Sequence, residues 1–146
     1  MKILGRVVLF LALVTGNTAM ADQPNSSDSL RLDAARNIVA SVNAKDSEAY
    51  VRDLANDVVV TLYDGAVRLR GRDAVKANRE QHFLRFPNAR NQLIHLVEID
   101  NRVVMHDQVW LTETQPLPAN IVEIFTFEDN QIIRIDVVQP SSLFEQ

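Results

Sequence analysis

The 146-residue chain contains no cysteine. That excludes a disulfide framework, a thiol nucleophile and a thiolate metal site. Its three histidines, His82, His95 and His106, follow no HxH or HxxxH spacing, so no metal site is expected. There is no Gly-rich phosphate loop and no serine-elbow motif. Lys and Arg form no cluster and the formal net charge is −4, which argues against nucleic acid or an anionic membrane as partner. The apolar run Val7 to Val14 falls well short of the ~20 residues of a membrane helix.

That run belongs to a different pattern. Lys2 and Arg6 precede it, and Ala19-Met20-Ala21 follows as a small-residue cleavage site. Residues 1–21 therefore read as a secretory signal peptide cut before Asp22, for a periplasmic or secreted protein without a membrane anchor after cleavage. Residues 22–28 form a polar leader, 29–140 one domain and 141–146 a tail in which Leu143 and Phe144 are available to dock. The remainder is long enough to fold on its core alone.

Asp28 or Ser29 caps a first helix whose stripe is Leu30, Ala34, Ala35, Ile38, Val39 and Val42. Asp46 or Ser47 caps a second, through about Ala55, with Tyr50, Val51 and Leu54 inward. Val58 to Tyr63 is a strand, Asp64-Gly65 a turn, and Ala66 to Arg70 its partner. The third helix spans Arg72 to about Arg85, before Pro87. Gln92 to Asp100 and Arg102 to Glu113 are the next strands. The last hairpin lies in Ala119 to Gln139, with its turn at Glu128 to Gln131. Helices followed by an antiparallel meander make an α+β domain.

Candidate chemistry comes from polar residues that interrupt apolar faces. Glu123 shares a face with Ile121, Phe125 and Phe127, where desolvation raises a carboxyl pKa toward neutrality. The alternative is an ion pair with an arginine on an open part of the sheet. Asp107 lies between Met105 and Val109. His95 shares a strand face with Leu93, Val97 and Ile99, as a hydrogen-bonded core residue or as a base oriented by Asp107. Asp136 stands near the end of the last strand, facing a pocket or pairing with Arg134. Tyr63 and Trp110 each offer apolar area with a polar tip, for a pocket wall or a dimer surface. His82, one turn before Phe86, and Phe125, beside Glu123, complete the ligand-binding candidates.

Several stretches, in order along the domain, resemble one superfamily. They are Asn43-Ala44-Lys45-Asp46, Leu54-Ala55-Asn56-Asp57-Val58, Gly71-Arg72-Asp73-Ala74-Val75, Phe86-Pro87-Asn88, Val104-Met105-His106-Asp107, Glu123 to Ile132, and Ile135-Asp136-Val137-Val138-Gln139-Pro140. The set is similar to SnoaL-like, or nuclear-transport-factor-2-like, domains. The resemblance implies three N-terminal helices packed on a strongly curved, mostly antiparallel sheet, a cystatin-like cone with a central pocket. It implies a pocket acid at Asp136 and a homodimer through the outer sheet face. Within the ketosteroid isomerase branch, the phenol donor would fall at Ile38 and the base at Leu62, and only Glu123 matches an acid, so that chemistry is not expected. Two functions remain open. One is a cofactor-free acid/base isomerase, cyclase or dehydratase acting on a small hydrophobic carbonyl compound. The other is a non-catalytic ligand-binding or dimerisation module.

Overall fold

A computed structural model describes residues 26–141. Residues 1–21, expected as a signal peptide, residues 22–25 of the expected leader, and Leu143 and Phe144 lie outside the described residues. The elements are α1 (Ser26–Ala44), α2 (Ser47–Val51), β1 (Leu54–Leu62), β2 (Val67–Arg70), α3 (Arg72–Arg85), β3 (Arg90–Ile99), β4 (Arg102–Trp110), β5 (Ala119–Glu128) and β6 (Gln131–Val138).

Helix α1 begins at Ser26, earlier than its expected cap. Ala34, Ala35, Ile38, Val39 and Val42 are buried as their spacing requires, whereas Leu30 is exposed. The helix ends at Lys45, whose φ of 59° lets its amide reach Val42 O and the Asp46 amide reach Ser41 O. Asp46 then caps α2 by accepting from the Ala49 amide at 2.9 Å. Helix α2 stops at Val51, before the expected Ala55. The chain turns extended at Leu54 because that residue pairs with Ile132 of β6. Gly71, with φ 86°, turns the chain from β2 into α3, a conformation that glycine adopts without strain.

The sheet order is β2-β1-β6-β5-β4-β3. β1 runs parallel to β6, and every other pair is antiparallel. The β5–β6 turn places Asp129 and Asn130 at φ 46° and 64°, the two left-handed residues of a tight hairpin. Register shifts interrupt the antiparallel ladders at Val60/Thr61, Leu93/His95 and Thr126/Phe127. Each extra residue bends its strand and increases local twist, which helps curve the sheet around the helices. The core between the layers holds Ile38, Leu54, Val58, Val75, Val103, Met105, Phe125, Ile132 and Ile135. β4 ends at Trp110, short of the expected Glu113, and Leu111 N is taken by the Gln115 side chain at 2.9 Å.

The shifts in β3 and β6 reverse side-chain parity. In β3, Leu93 pairs with Asp107 but His95 pairs with His106, so Ile94 is the extra residue. Leu96 and Glu98 then turn inward, and His95, Val97 and Ile99 turn outward and are exposed. In β6, Phe127 pairs with Ile132 and Thr126 with Arg134, leaving Ile133 unpaired. Ile132 is thus in the core, while Arg134 and Asp136 lie on the outer face.

Candidate functional site

The end of the core away from the β5–β6 turn is hollow. A cavity of about 430 Å³ opens there, within the usual range for small-molecule sites. Sheet residues Val60, Leu62, Leu69, Asp107, Val109, Leu111, Ile121, Glu123, Ile135 and Val137 line one side. Asn78, Arg79, His82 and Arg85 of α3 line the other, with Tyr50 from α2 and Ile38 and Val42 from α1.

Asp107 and Glu123 enter from adjacent strands. Asp107 pairs with Ile121 and Glu123 with Met105, so the two acids are diagonal neighbours on one face. Asp107 is 1 % exposed. The Asn91 side-chain amide donates to its Oδ2, and Oδ1 is a buried oxygen with no protein partner. Burial raises the Asp107 pKa to about 6, against the opposing Asn91 hydrogen bond and the charge of His106. Glu123 is half-buried, with its open part on the cavity. Desolvation and the neighbouring Asp107 charge raise its pKa to about 8, opposed by Arg79. The two carboxyls therefore titrate as a pair.

Asn91 is held in turn by α1. Its amide donates to Asn43 Oδ1 at 2.8 Å, and Asn43 Nδ2 donates to Asn91 O at 2.9 Å. Nearby, Lys45 Nζ donates to Val42 O and Ala89 O, tying the end of α1 to the start of β3. Tyr50 is buried, and its hydroxyl is held protonated by desolvation and by the Glu123 and Asp107 charges, against Arg79. The Arg79 guanidinium lies 5.4 Å from the Tyr50 ring centre and donates to Asn78 Oδ1 at 2.7 Å. His82 packs on Phe86 with ring centres 5.1 Å apart. Burial, followed by the positive charges of Arg79, Lys45 and Arg85, lowers its pKa to about 4, so its ring is neutral at pH 7.

Of the residues singled out from the sequence, Glu123, Asp107 and His82 meet at this cavity. The other five do not line it. Asp136 is on the outer face, where Arg134 donates to both its oxygens at 2.7–2.9 Å and buried Thr61 donates to Oδ1. That pairing holds its carboxyl below the ordinary range. His95 is turned outward by the β3 bulge and faces His106, ring centres 5.8 Å apart, so it does not reach Asp107. Tyr63 is 76 % exposed, one residue beyond the inward Leu62. Trp110 points outward, with the Arg90 guanidinium 3.6 Å from its ring centre. Phe125 shares the Glu123 face but is fully buried in the core, where the helices close on the sheet.

Tyr50, Arg79 and Asn91 were not marked as functional by sequence. Two of them carried a legible signal. Arg79, His82 and Arg85 recur every three residues, a polar stripe along one side of a helix. Asn91 precedes Leu93 by two and interrupts an inward strand face. Tyr50 has the spacing of an ordinary core residue.

Among the described residues, no group of three or more His, Cys, Asp or Glu is placed to hold a metal ion. Also among them, no helix is long and apolar enough to cross a membrane.

Comparison with curated proteins finds no match. Among solved structures, a cystatin-fold protein from Novosphingobium aromaticivorans superposes with TM-score 0.67 at 24% identity, over 74% of this chain and 97% of its own. A candidate SnoaL-like polyketide cyclase from Jannaschia sp. CCS1 gives 0.70 at 11% identity, over 86% and 95%. A candidate ketosteroid isomerase from Kribbella flavida gives 0.65 at 17% identity, over 77% and 79%. These establish a shared cystatin-like, NTF2-like fold. The profile of the SnoaL-like domain matches residues 35–135, most of the chain and nearly all of the cavity wall, and the chain belongs to that family.

Proposed function

We propose that this is an exported small-molecule enzyme that performs cofactor-free acid/base chemistry on a small hydrophobic carbonyl compound. The observation that carries the reading is the Asp107–Glu123 pair, two carboxyls raised toward neutrality on the sheet wall of one cavity. Their unequal environments assign the roles. Asp107, the more acidic, takes a proton from the carbon next to the substrate carbonyl. Glu123, still protonated near neutral pH, gives its proton to the carbonyl oxygen, and Tyr50 adds a neutral hydroxyl donor. Asp107 then gives its proton to another carbon, to the oxygen of a second carbonyl that the enol carbon attacks, or to a neighbouring hydroxyl that leaves as water. The enol hydroxyl returns its proton to Glu123, giving isomerisation, cyclisation or dehydration. Ile38 and Leu62, where the ketosteroid isomerase branch carries its donor and base, both line the cavity and neither moves a proton. This supports a different catalytic arrangement.

The test is deuterium uptake next to the carbonyl, followed by NMR across a panel of small cyclic ketones and β-diketones. The unmodified protein should exceed D107N and E123Q by about 10²-fold or more on at least one compound. Equal rates for all three proteins on every compound would remove the proposal. Export is supported by the Lys2 to Ala21 pattern, and N-terminal sequencing of the secreted or periplasmic product should begin at Asp22.

A second reading concerns assembly and is compatible with the first. Val97, Val104 and Ile124 form a row across three strands on the outer face, and Val138 adds to it from β6. Val97 is 51 % and Val138 39 % exposed, an apolar face suited to a second copy. Sedimentation at micromolar concentration should give a dimer that Val104→Glu dissociates. A monomeric unmodified protein would count against it.

A further inference from the structure

The cavity has two chemically distinct walls. The sheet wall carries both acids. The α3 wall carries Asn78, Arg79, His82 and Arg85, and Arg68 enters from β2. Arg79 and Arg85 thus face two acids across the cavity, within a chain whose own net charge is −4. Among the described residues, neither Arg79 nor Arg85 is in an ion pair. Arg85 is exposed and lies over the Phe86 ring at 5.1 Å from its centre, at the edge of the helix wall. Near neutrality Asp107 offsets one of these charges, while Glu123 keeps its proton and His82 is neutral, so the arginine wall stays net positive.

We infer that the cavity selects small apolar molecules carrying one anionic group, a carboxylate or comparably acidic oxygen acid, held against Arg79 and Arg85. The apolar body then lies along Val60, Val109, Ile121 and Val137, and the end far from the anion reaches Asp107 and Glu123. A guanidinium gives an oxyanion two parallel hydrogen bonds, and a partly dry cavity strengthens them. A cationic ligand would meet the arginines unscreened. This deepens the acid–base reading and depends on it only for which end of the ligand faces the acids.

The test uses two dyes with the same ring frame, anionic 1-anilinonaphthalene-8-sulfonate and neutral N-phenyl-1-naphthylamine, in fluorescence titrations of the purified protein. The anionic dye should bind at least about tenfold tighter, and its affinity should fall with added salt. R85Q, at an exposed position, should reduce the preference, and R79Q/R85Q should abolish it. Val109→Trp fills the cavity and should eliminate binding. Equal affinity for the two dyes, or a preference unchanged in both arginine variants, would overturn the inference. Anion binding retained by Val109→Trp would also overturn it, since the dye then sits elsewhere. Dye selectivity that persists while no proton exchange is found would support this inference and remove the acid–base one.

Discussion

Glu123 stands diagonally across the β4–β5 ladder from Asp107, on the same inward face and with no hydrogen bond between them. The Asp107 charge raises the cost of ionising Glu123. Such an arrangement opposes stability, because two carboxyls are kept from water without a counter-ion in direct contact. It is what a site for proton transfer near neutral pH requires.

Stability should therefore improve when Glu123 is neutralised. Its folded pKa, about 8, lies above the unfolded value, so the folded state holds a proton that the unfolded state has lost between about pH 4.5 and 8. Stability contributed at this position falls across that window as pH rises. E123Q should match the unmodified protein near pH 4 and exceed it at pH 9 in urea melts. Parallel curves at all pH values would contradict the assignment.

Asn91 lowers the Asp107 pKa through its hydrogen bond to Oδ2, which leaves Oδ1 without a protein partner. Asn91→Leu should move the Asp107 titration above pH 6, read from the carboxyl ¹³C shift, and move the acidic limb of any pH–rate profile with it. The Asn91 backbone remains clamped by Asn43, so the strand should keep its place. A downward or absent movement would mean that Asn91 does not hold the carboxylate.

Asp136 should behave as a structural residue. Its carboxyl is lowered first by the Arg134 hydrogen bonds, with Thr61 assisting. A lowered acid contributes stability above its unfolded pKa and loses it as pH falls through the folded one. Asp136→Ala should thus be less stable than the unmodified protein at pH 7, with the gap narrowing as the pH is lowered below the ordinary carboxylate range. Anionic dye binding should be unchanged. Loss of dye binding in a folded Asp136→Ala protein would place this acid back in the site.

Phe125 is fully buried in the layer beneath the cavity. Phe125→Ala should cost about 3–5 kcal/mol of unfolding free energy in a denaturant titration. A cost below about 1 kcal/mol would mean that the cavity collapses into the space, contrary to a rigid floor.

The order of elements, the inward face of β5 with Glu123, the inward face of β4 with Asp107, and the tight turn at Asp129-Asn130 were all legible in the sequence. Period-two alternation and left-handed turn chemistry act over a few residues and need no partner. The family resemblance extended this to the sheet curvature and the pocket. Where alternation ran unbroken, the inward residues were the expected ones.

Tertiary structure alone decided the rest. One unpaired residue in β3 and one in β6 reversed parity, sending His95 and Asp136 outward, and the need for a bulge arises from how two distant strands pair. Leu54 left the helical pattern because Ile132 lay beside it. Phe125 and Glu123 share a face, yet one is core and the other cavity wall, because the helices close over the sheet at one end only. The convergence of Arg79, Tyr50 and Asn91 on the two acids joins three segments far apart in the chain. No local pattern encodes that distance, so sequence could name the acids but not the groups that set their charge.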